Sequence, residues 1–127
     1  MIRLPYSSDY FPTAPILRVR LGLPDEALRI GPLDALIDTG ADGTIVPAYM
    51  IEELGAESDN DKILRGYSGE GVVVKMYYLD IAIGKGRFPA VEVAADPRAD
   101  QVMIGRNLLN KLVITLNGPK QELEIKD

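Results

Sequence analysis

The stretch Ala35 to Pro47, ALIDTGADGTIVP, places Asp38 directly after three apolar residues and ahead of a second apolar run. A carboxylate at the mouth of a buried strand is costly unless it is paired or used. Alone it is a weak base for activating water at neutral pH, because its ordinary pKa lies near ~3.9. Two carboxylates forced together cannot both ionise, so they share a proton. One then acts as base on a bound water while the other donates to a substrate carbonyl. The neighbours of Asp38 suit such a role. Gly40 leaves room for a tight turn and for the approach of a second acid and a substrate, and its N–H can point at an Asp38 oxygen. Thr39 offers a hydroxyl able to bond across a close interface. Ala35, Leu36 and Ile37 are expected to bury the strand behind the acid and hold it rigidly. The competing reading is a plain turn in which Asp38 bonds its own backbone.

Composition removes most other chemistries. The chain has 127 residues, about one domain's worth, with 46% hydrophobic and 26% charged residues, which is ordinary for a globular protein. A net charge of −5 and the lack of a dense Lys/Arg block argue against nucleic acid as a partner. Cysteine and histidine are both absent, which excludes disulfides, thiol nucleophiles, imidazole bases and the usual zinc ligands. Carboxylate and hydroxyl oxygens remain. No stretch approaches the ~18 apolar residues of a membrane span, and the first fifteen residues lack a signal-peptide core. A soluble, cytoplasmic protein without membrane association is the expectation.

The elements that would position the site are short. Pro5, Pro12 and Pro15 make residues 1–15 an extended arm ahead of a domain spanning 16–127. Ile16 to Leu23 alternates in strand period, and a return strand ending at Ile37 completes a hairpin. Thr44 to Val46 reads as a strand, with Pro47 opening a two-turn helix that stops at Gly55. Ile63 to Arg65 and Val72 to Ile83 flank a glycine-tipped turn. Phe88 to Ala94 and Gln101 to Gly105 are further strands, and Arg106 to Leu112 is a second short helix capped by Asn107. The chain closes in a hairpin turning at Asn117-Gly118. The pattern is mostly β with two short helices, and residues 35–54 are faintly echoed by 102–112.

Three segments, LIDTGADGTIVP, LRGYSGEGVVV and VMIGRNLLNKL, resemble the active-site loop, flap and Gly-Arg-Asn helix entry of retroviral-type (retropepsin-like) aspartic proteases, in the same order. The likeness covers residues 16–127 and implies an all-β acid-protease barrel with one or two short helices, one lobe per chain. By that resemblance Asp38, Thr39 and Gly40 form the catalytic signature. Ala41, Asp42 and the flap residues Tyr67, Ser68 and Gly69 face substrate, with residues 66–71 closing over a peptide. Asp42 and Arg106 match a pair bridging the loop and the helix, and residues 102–105 with Gly105 at their end thread behind the loop. Gly43 stands where the viral loop often has a second acid, and Tyr67, Ser68 and Glu70 replace glycine and apolar flap residues, which suits a bacterial or cellular member better than a viral one.

Asp-Thr-Gly or Asp-Ser-Gly occurs once in the chain, whereas a dyad needs two acids. The expected enzyme is therefore a homodimeric aspartic endopeptidase acting on a peptide or protein substrate, without metal or cofactor. A non-catalytic dimeric peptide-binding module on the same fold is the alternative. A phosphoryl-transfer reading of ADGT fails because the required first Asp falls at Gly40. Ala41 carries no hydroxyl to stabilise an ionised Asp38, whereas Ser would. Replacement Ala41→Ser should move the acidic limb of the peptide-cleavage pH profile to lower pH, and an unchanged profile would refute this.

Overall fold

Alternation along Ile16–Gly22 turns Leu17, Val19 and Leu21 inward, each at most 1% exposed, and leaves Arg18 and Arg20 in solvent. The same logic organises the other strands of this computed structural model, which describes residues 1–65 and 71–126. In chain order the elements are β1 (Ile2–Pro5), β2 (Ile16–Gly22), β3 (Ile30–Ile37), β4 (Thr44–Pro47), α1 (Ala48–Leu54), β5 (Asn60–Arg65), β6 (Gly71–Ile83), β7 (Gly86–Asp96), β8 (Met103–Ile104), α2 (Arg106–Leu109), β9 (Val113–Asn117) and β10 (Glu122–Lys126).

Strands pair in the order β2-β3-β8-β4-β7-β6-β5, and β2 pairs again with β6. The sheet thus closes into a six-stranded barrel with β5 attached outside the ring. Closure leaves the ring without free edges, and its inward side chains form one core that includes Leu17, Val46, Leu79, Val93, Ile104 and Leu108. This is the all-β barrel with two short helices expected from the sequence. Outside the ring, β5 and β6 pair antiparallel from Asn60↔Met76 to Arg65↔Gly71. No helix among the described residues is long and apolar enough to cross a membrane.

The helices end for local reasons. Gly55 takes the left-handed conformation (φ 69°) that closes α1, and its N–H returns to Glu52 O. Arg29 donates to the Leu54 carbonyl at 2.8 Å, placing a cation at the negative end of α1.

A second sheet, β1-β10-β9, packs below the barrel. Of the first fifteen residues, Ile2 to Pro5 form a strand antiparallel to β10, Ser7 and Ala14 bridge across a turn, and Ile2 and Tyr6 rest on the core. The closing hairpin differs from its expected form. Asn117 pairs with Glu122, so four residues rather than an Asn-Gly dipeptide make the turn. The Asn117 side chain accepts the Lys120 N–H at 3.1 Å, and Gln121 N–H reaches Gly118 O. That side-chain bond stabilises a longer loop than the dipeptide rule requires.

One buried charge stands out. Asp80 is 1% exposed, at a bulge in the β6–β7 pairing. Its carboxylate accepts the N–H of Ala90 (2.8 Å), the N–H of Asp25 (3.0 Å) and Arg87 Nε (2.8 Å). Asp25 and Ala90 both have positive φ, 61° and 48°, so one carboxylate holds two backbone positions that non-glycine residues seldom occupy. Burial pushes the Asp80 pKa up, but the two backbone donors and Arg87 together outweigh it and hold the group below its ordinary value. A depressed folded-state pKa contributes stability that is present above the unfolded value and lost as pH falls through the folded one. Acid titration followed by circular dichroism should therefore show stability declining below about pH 4. The variant Asp80→Asn should lose about 3 kcal/mol at neutral pH in denaturant melts and show a flatter acid limb. Equal stability of the two proteins at pH 7 would contradict this account.

Candidate active site

The chain leaves β3 at Ile37, and Asp38 begins a tight loop that returns at Thr44. Ala41 N–H closes this turn on Asp38 O at 3.2 Å. Behind the loop, β8 runs parallel to β3 in the register Leu36↔Met103 and Ile37↔Ile104, and touches β4 at Ile45↔Met103. Leu36 N–H donates to Val102 O, and Asp38 N–H to Ile104 O at 2.9 Å. The backbone of the acid is thus tied to the strand expected to thread behind it. The expected burial of its approach is met at Ala35, which is fully buried, whereas Leu36 and Ile37 are only partly covered in the single chain.

The Gly40 N–H donates to Asp38 Oδ1 at 3.0 Å, the contact anticipated from the tripeptide. Asp38 is part-buried, while Thr39 and Gly40 are exposed, so the carboxylate and the hydroxyl lie at an open face. From the other side, the start of α2 clamps the loop. Arg106 N–H binds Ala41 O at 2.9 Å, Asn107 N–H binds Asp42 O at 3.2 Å, and Arg106 Nη1 binds Thr39 O at 2.9 Å.

Two expectations are corrected by this clamp. Asp42 and Arg106 do bridge loop and helix, but through main-chain bonds and the Thr39 carbonyl, and no ion pair joins them among the described residues. Arg106 points at a carbonyl because its own backbone is already anchored to Ala41. Asp42 lies within electrostatic reach of Lys62 on β5. That ammonium is held above its ordinary pKa chiefly by its 2.6 Å bond to Glu92, with smaller contributions from Tyr78 and Asp42. Asn107 is not the helix cap; Gly105 occupies that position, without a side-chain bond. Instead Asn107 Oδ1 accepts the Thr44 hydroxyl at 2.8 Å, and its Nδ2 donates to Glu92 O at 2.8 Å, joining β4, β7 and α2. Thr44, 1% exposed, also accepts the Gly105 N–H at 3.2 Å. Sequence reading passed over Thr44 as a strand residue; the signal was a hydroxyl at the head of an otherwise apolar run.

Asp38 through Asp42, Gly105 and Arg106 are therefore brought together. Tyr67, Ser68 and Gly69 lie outside the described residues. Among the described residues no cluster of three acidic side chains could hold a metal ion.

A family model described as "gag-polyprotein putative aspartyl protease" matches residues 30–111, a span from β3 through α2 that contains this whole arrangement. The chain belongs to this aspartyl protease family. A search of curated proteins finds no match. Among solved structures, a retropepsin-like aspartic protease from Rickettsia conorii superposes with a TM-score of 0.66 at 17% identity, covering 98% of this chain and 88% of the other. The EIAV protease complexed with the inhibitor HBY-793 gives 0.60 at 20% identity, covering 85% and 93%. The retroviral protease-like domain of Ddi1 from Leishmania major gives 0.53 at 18%, covering 90% of each. At these identities the similarity establishes a shared retropepsin-like fold.

In this aspartyl protease fold the loop and helix meet at two glycines with different demands. A Cβ on Gly105 would lie 2.0 Å from Gly43 O and 2.5 Å from its carbonyl carbon, a clash with backbone that cannot turn aside. A Cβ on Gly43 would meet nothing within 4 Å. Replacing Gly105 by Ala should cost at least about 3 kcal/mol in chemical denaturation, whereas Gly43→Ala should stay within about 1 kcal/mol of the parent. Similar losses at both positions would show that the loop is not held by this contact.

Proposed function

We propose that the protein is a homodimeric aspartic endopeptidase in which Asp38 of each copy meets at a two-fold axis. The observation that carries this reading is one part-buried carboxylate per chain, held by Gly40 on a loop fixed from both sides and open toward the exposed Thr39 and Gly40. A single chain presents half of a dyad, and a symmetric partner supplies the other half.

Water held between the two carboxylates loses a proton to the ionised one as its oxygen attacks the scissile carbonyl, while the protonated one donates to the carbonyl oxygen. The resulting gem-diol collapses, the C–N bond breaks, and the amine leaves with a proton from the dyad. No covalent enzyme intermediate forms. Thr39 supports the pairing by hydrogen bonding across the interface, and Arg106 keeps its carbonyl oriented. In this reading Tyr67, Ser68 and Gly69, between β5 and β6, contact the peptide. Ile63 and Val73, paired across these two strands and 58% and 66% exposed, give the strand pair an apolar surface suited to an extended substrate.

A peptide library incubated with the protein should be cleaved, and Asp38→Asn should lower the rate at least about 10³-fold with the sedimentation coefficient of the dimer unchanged. Cleavage unaffected by Asp38→Asn would refute the site. A dimer that binds peptides without cutting any of them would instead mark a binding module.

A further inference from the structure

The strand register extends the face that carries Asp38 in a direction the mechanism does not use. In β2, Leu17, Val19 and Leu21 enter the core, so Ile16 and Arg18 lie on the other face. Ile16 pairs with Leu36, and Leu36 with Met103, which sets these three residues side by side on that face. Ile45 joins them through its pairing with Met103. Ile16 is buried there, whereas Leu36, Met103 and Ile45 are only half-covered. Asp38 follows Leu36 by two residues and keeps the ladder through its bond to Ile104 O, so the acid continues the same face. An apolar shelf therefore begins one step from the carboxylate.

A loop from the first fifteen residues closes the far end of this shelf. Ser7 and Ala14 exchange both main-chain bonds, at 2.7 and 3.2 Å, and so turn residues 8–13 into a closed loop. Two side chains pin it to distant segments: the Tyr10 hydroxyl donates to Gln101 Oε1, and the Thr13 hydroxyl to Gln121 Oε1. Gln101 stands two residues before Met103, on the side away from Asp38. At roughly 3.3 Å per residue it lies about 13 Å along the strand from the level of the acid, the length of about four residues of an extended peptide. At the tip of the loop, Phe11 is 102% exposed, more than any other large apolar side chain among the described residues. A lone exposed aromatic means little by itself. One held on a doubly pinned loop, at the end of an apolar shelf that starts at the acid, is preorganised for contact.

We infer that residues 8–13 form an end wall of the substrate cleft, in which Phe11 packs against a bulky apolar side chain of the peptide within about four residues of the bond that is cut. This rests on the protease reading proposed above. The surfaces select the occupant. Residues 10–14 carry no charge, and the shelf of Ile16, Leu36, Met103 and Ile45 is apolar throughout. The charges that share this face on β2 and β3, Arg18 and Asp34, bond each other at 3.1 Å. A charged substrate side chain placed between the shelf and Phe11 would lose water and gain no partner, whereas an aromatic or branched apolar one gains contact on both sides. Phe11 is thus a specificity-determining contact. Tyr10 is a positioning residue, because it acts by tying the loop to Gln101.

Cleavage of a defined peptide library, read by mass spectrometry, tests this in the parent, Phe11→Ala, Phe11→Leu and Tyr10→Phe. Phe11→Ala should lower kcat/KM at least about tenfold for peptides with a bulky apolar side chain at one position near the cut, and leave peptides with alanine there nearly unchanged. The loss should appear in KM with kcat held, because the contact is made equally before and during the reaction. Phe11→Leu should restore most of it, and Tyr10→Phe should give the same selective rise in KM at smaller size. Since Phe11 is wholly in solvent, sedimentation and circular dichroism of Phe11→Ala should match the parent. An unchanged cleavage profile in Phe11→Ala overturns the inference and leaves the protease reading standing. A loss uniform across all peptides, or one that follows a weaker dimer, overturns it as well, and an unaffected Tyr10→Phe removes the positioning role. If the parent cleaves no peptide, the protease reading fails and fluorescence-anisotropy titration of the same peptides decides the contact. Weaker binding in Phe11→Ala then upholds it, and equal or absent binding overturns it.

Discussion

The candidate site depends on the passage of β8 between β3 and β4. Because that short strand runs behind the loop, the backbone of Asp38 has a fixed donor–acceptor partner in Ile104, and the glycine that follows can bring α2 into contact with Gly43. Three main-chain or guanidinium bonds from Arg106 and Asn107 then reach the loop from the opposite side. An acid on an ordinary hairpin turn would sample many positions. Here the Asp38 N–H is tied to β8, and the carbonyls of Thr39, Ala41 and Asp42 to the start of α2, which gives the loop the rigidity that carboxylate chemistry demands.

Buried polar groups elsewhere serve the same end by different means. Thr44 and Asn107 exchange neutral hydrogen bonds that join β4, β7 and α2 directly beneath the loop, so the clamp has its own support. Asp80 instead uses a full charge, at the far end of the long β6–β7 pairing, to hold two backbone positions of unfavourable φ. The first arrangement is local and satisfies every partner at little desolvation cost. The second is strong only while the carboxylate remains ionised.

The single chain is complete as a barrel and, in the proposed reading, carries half of a catalytic site. Its ring has no free edge, whereas the lower sheet ends in two edge strands, β1 and β9, and Thr39 and Gly40 are exposed beside the part-buried Asp38. Membership in an aspartyl protease family and a retropepsin-like fold account for both features if a second copy is the missing half.

Much of this was legible from residue order alone. Strand alternation at Ile16–Gly22 and the Pro47 and Gly55 bounds of α1 could be read because periodicity, fixed proline φ and glycine's left-handed backbone are local properties, while the barrel itself was implied by the family resemblance of the Asp-Thr-Gly and Gly-Arg-Asn segments. What the residues bond to across the fold was not local. The Asn107 cap and the Asn117-Gly118 turn were each reasonable by short-range rules and gave way to a partner distant in sequence or to a longer loop, and the Asp42–Arg106 bridge implied by resemblance runs through main-chain bonds and the Thr39 carbonyl. The sequence by itself determined which acid is available and that one chain holds only one of them. Tertiary structure alone decided that the backbone of the acid is fixed through Ile104 and its carboxylate through Gly40, and that Thr44 and Asn107 support the loop, because these depend on segments brought together from distant parts of the chain.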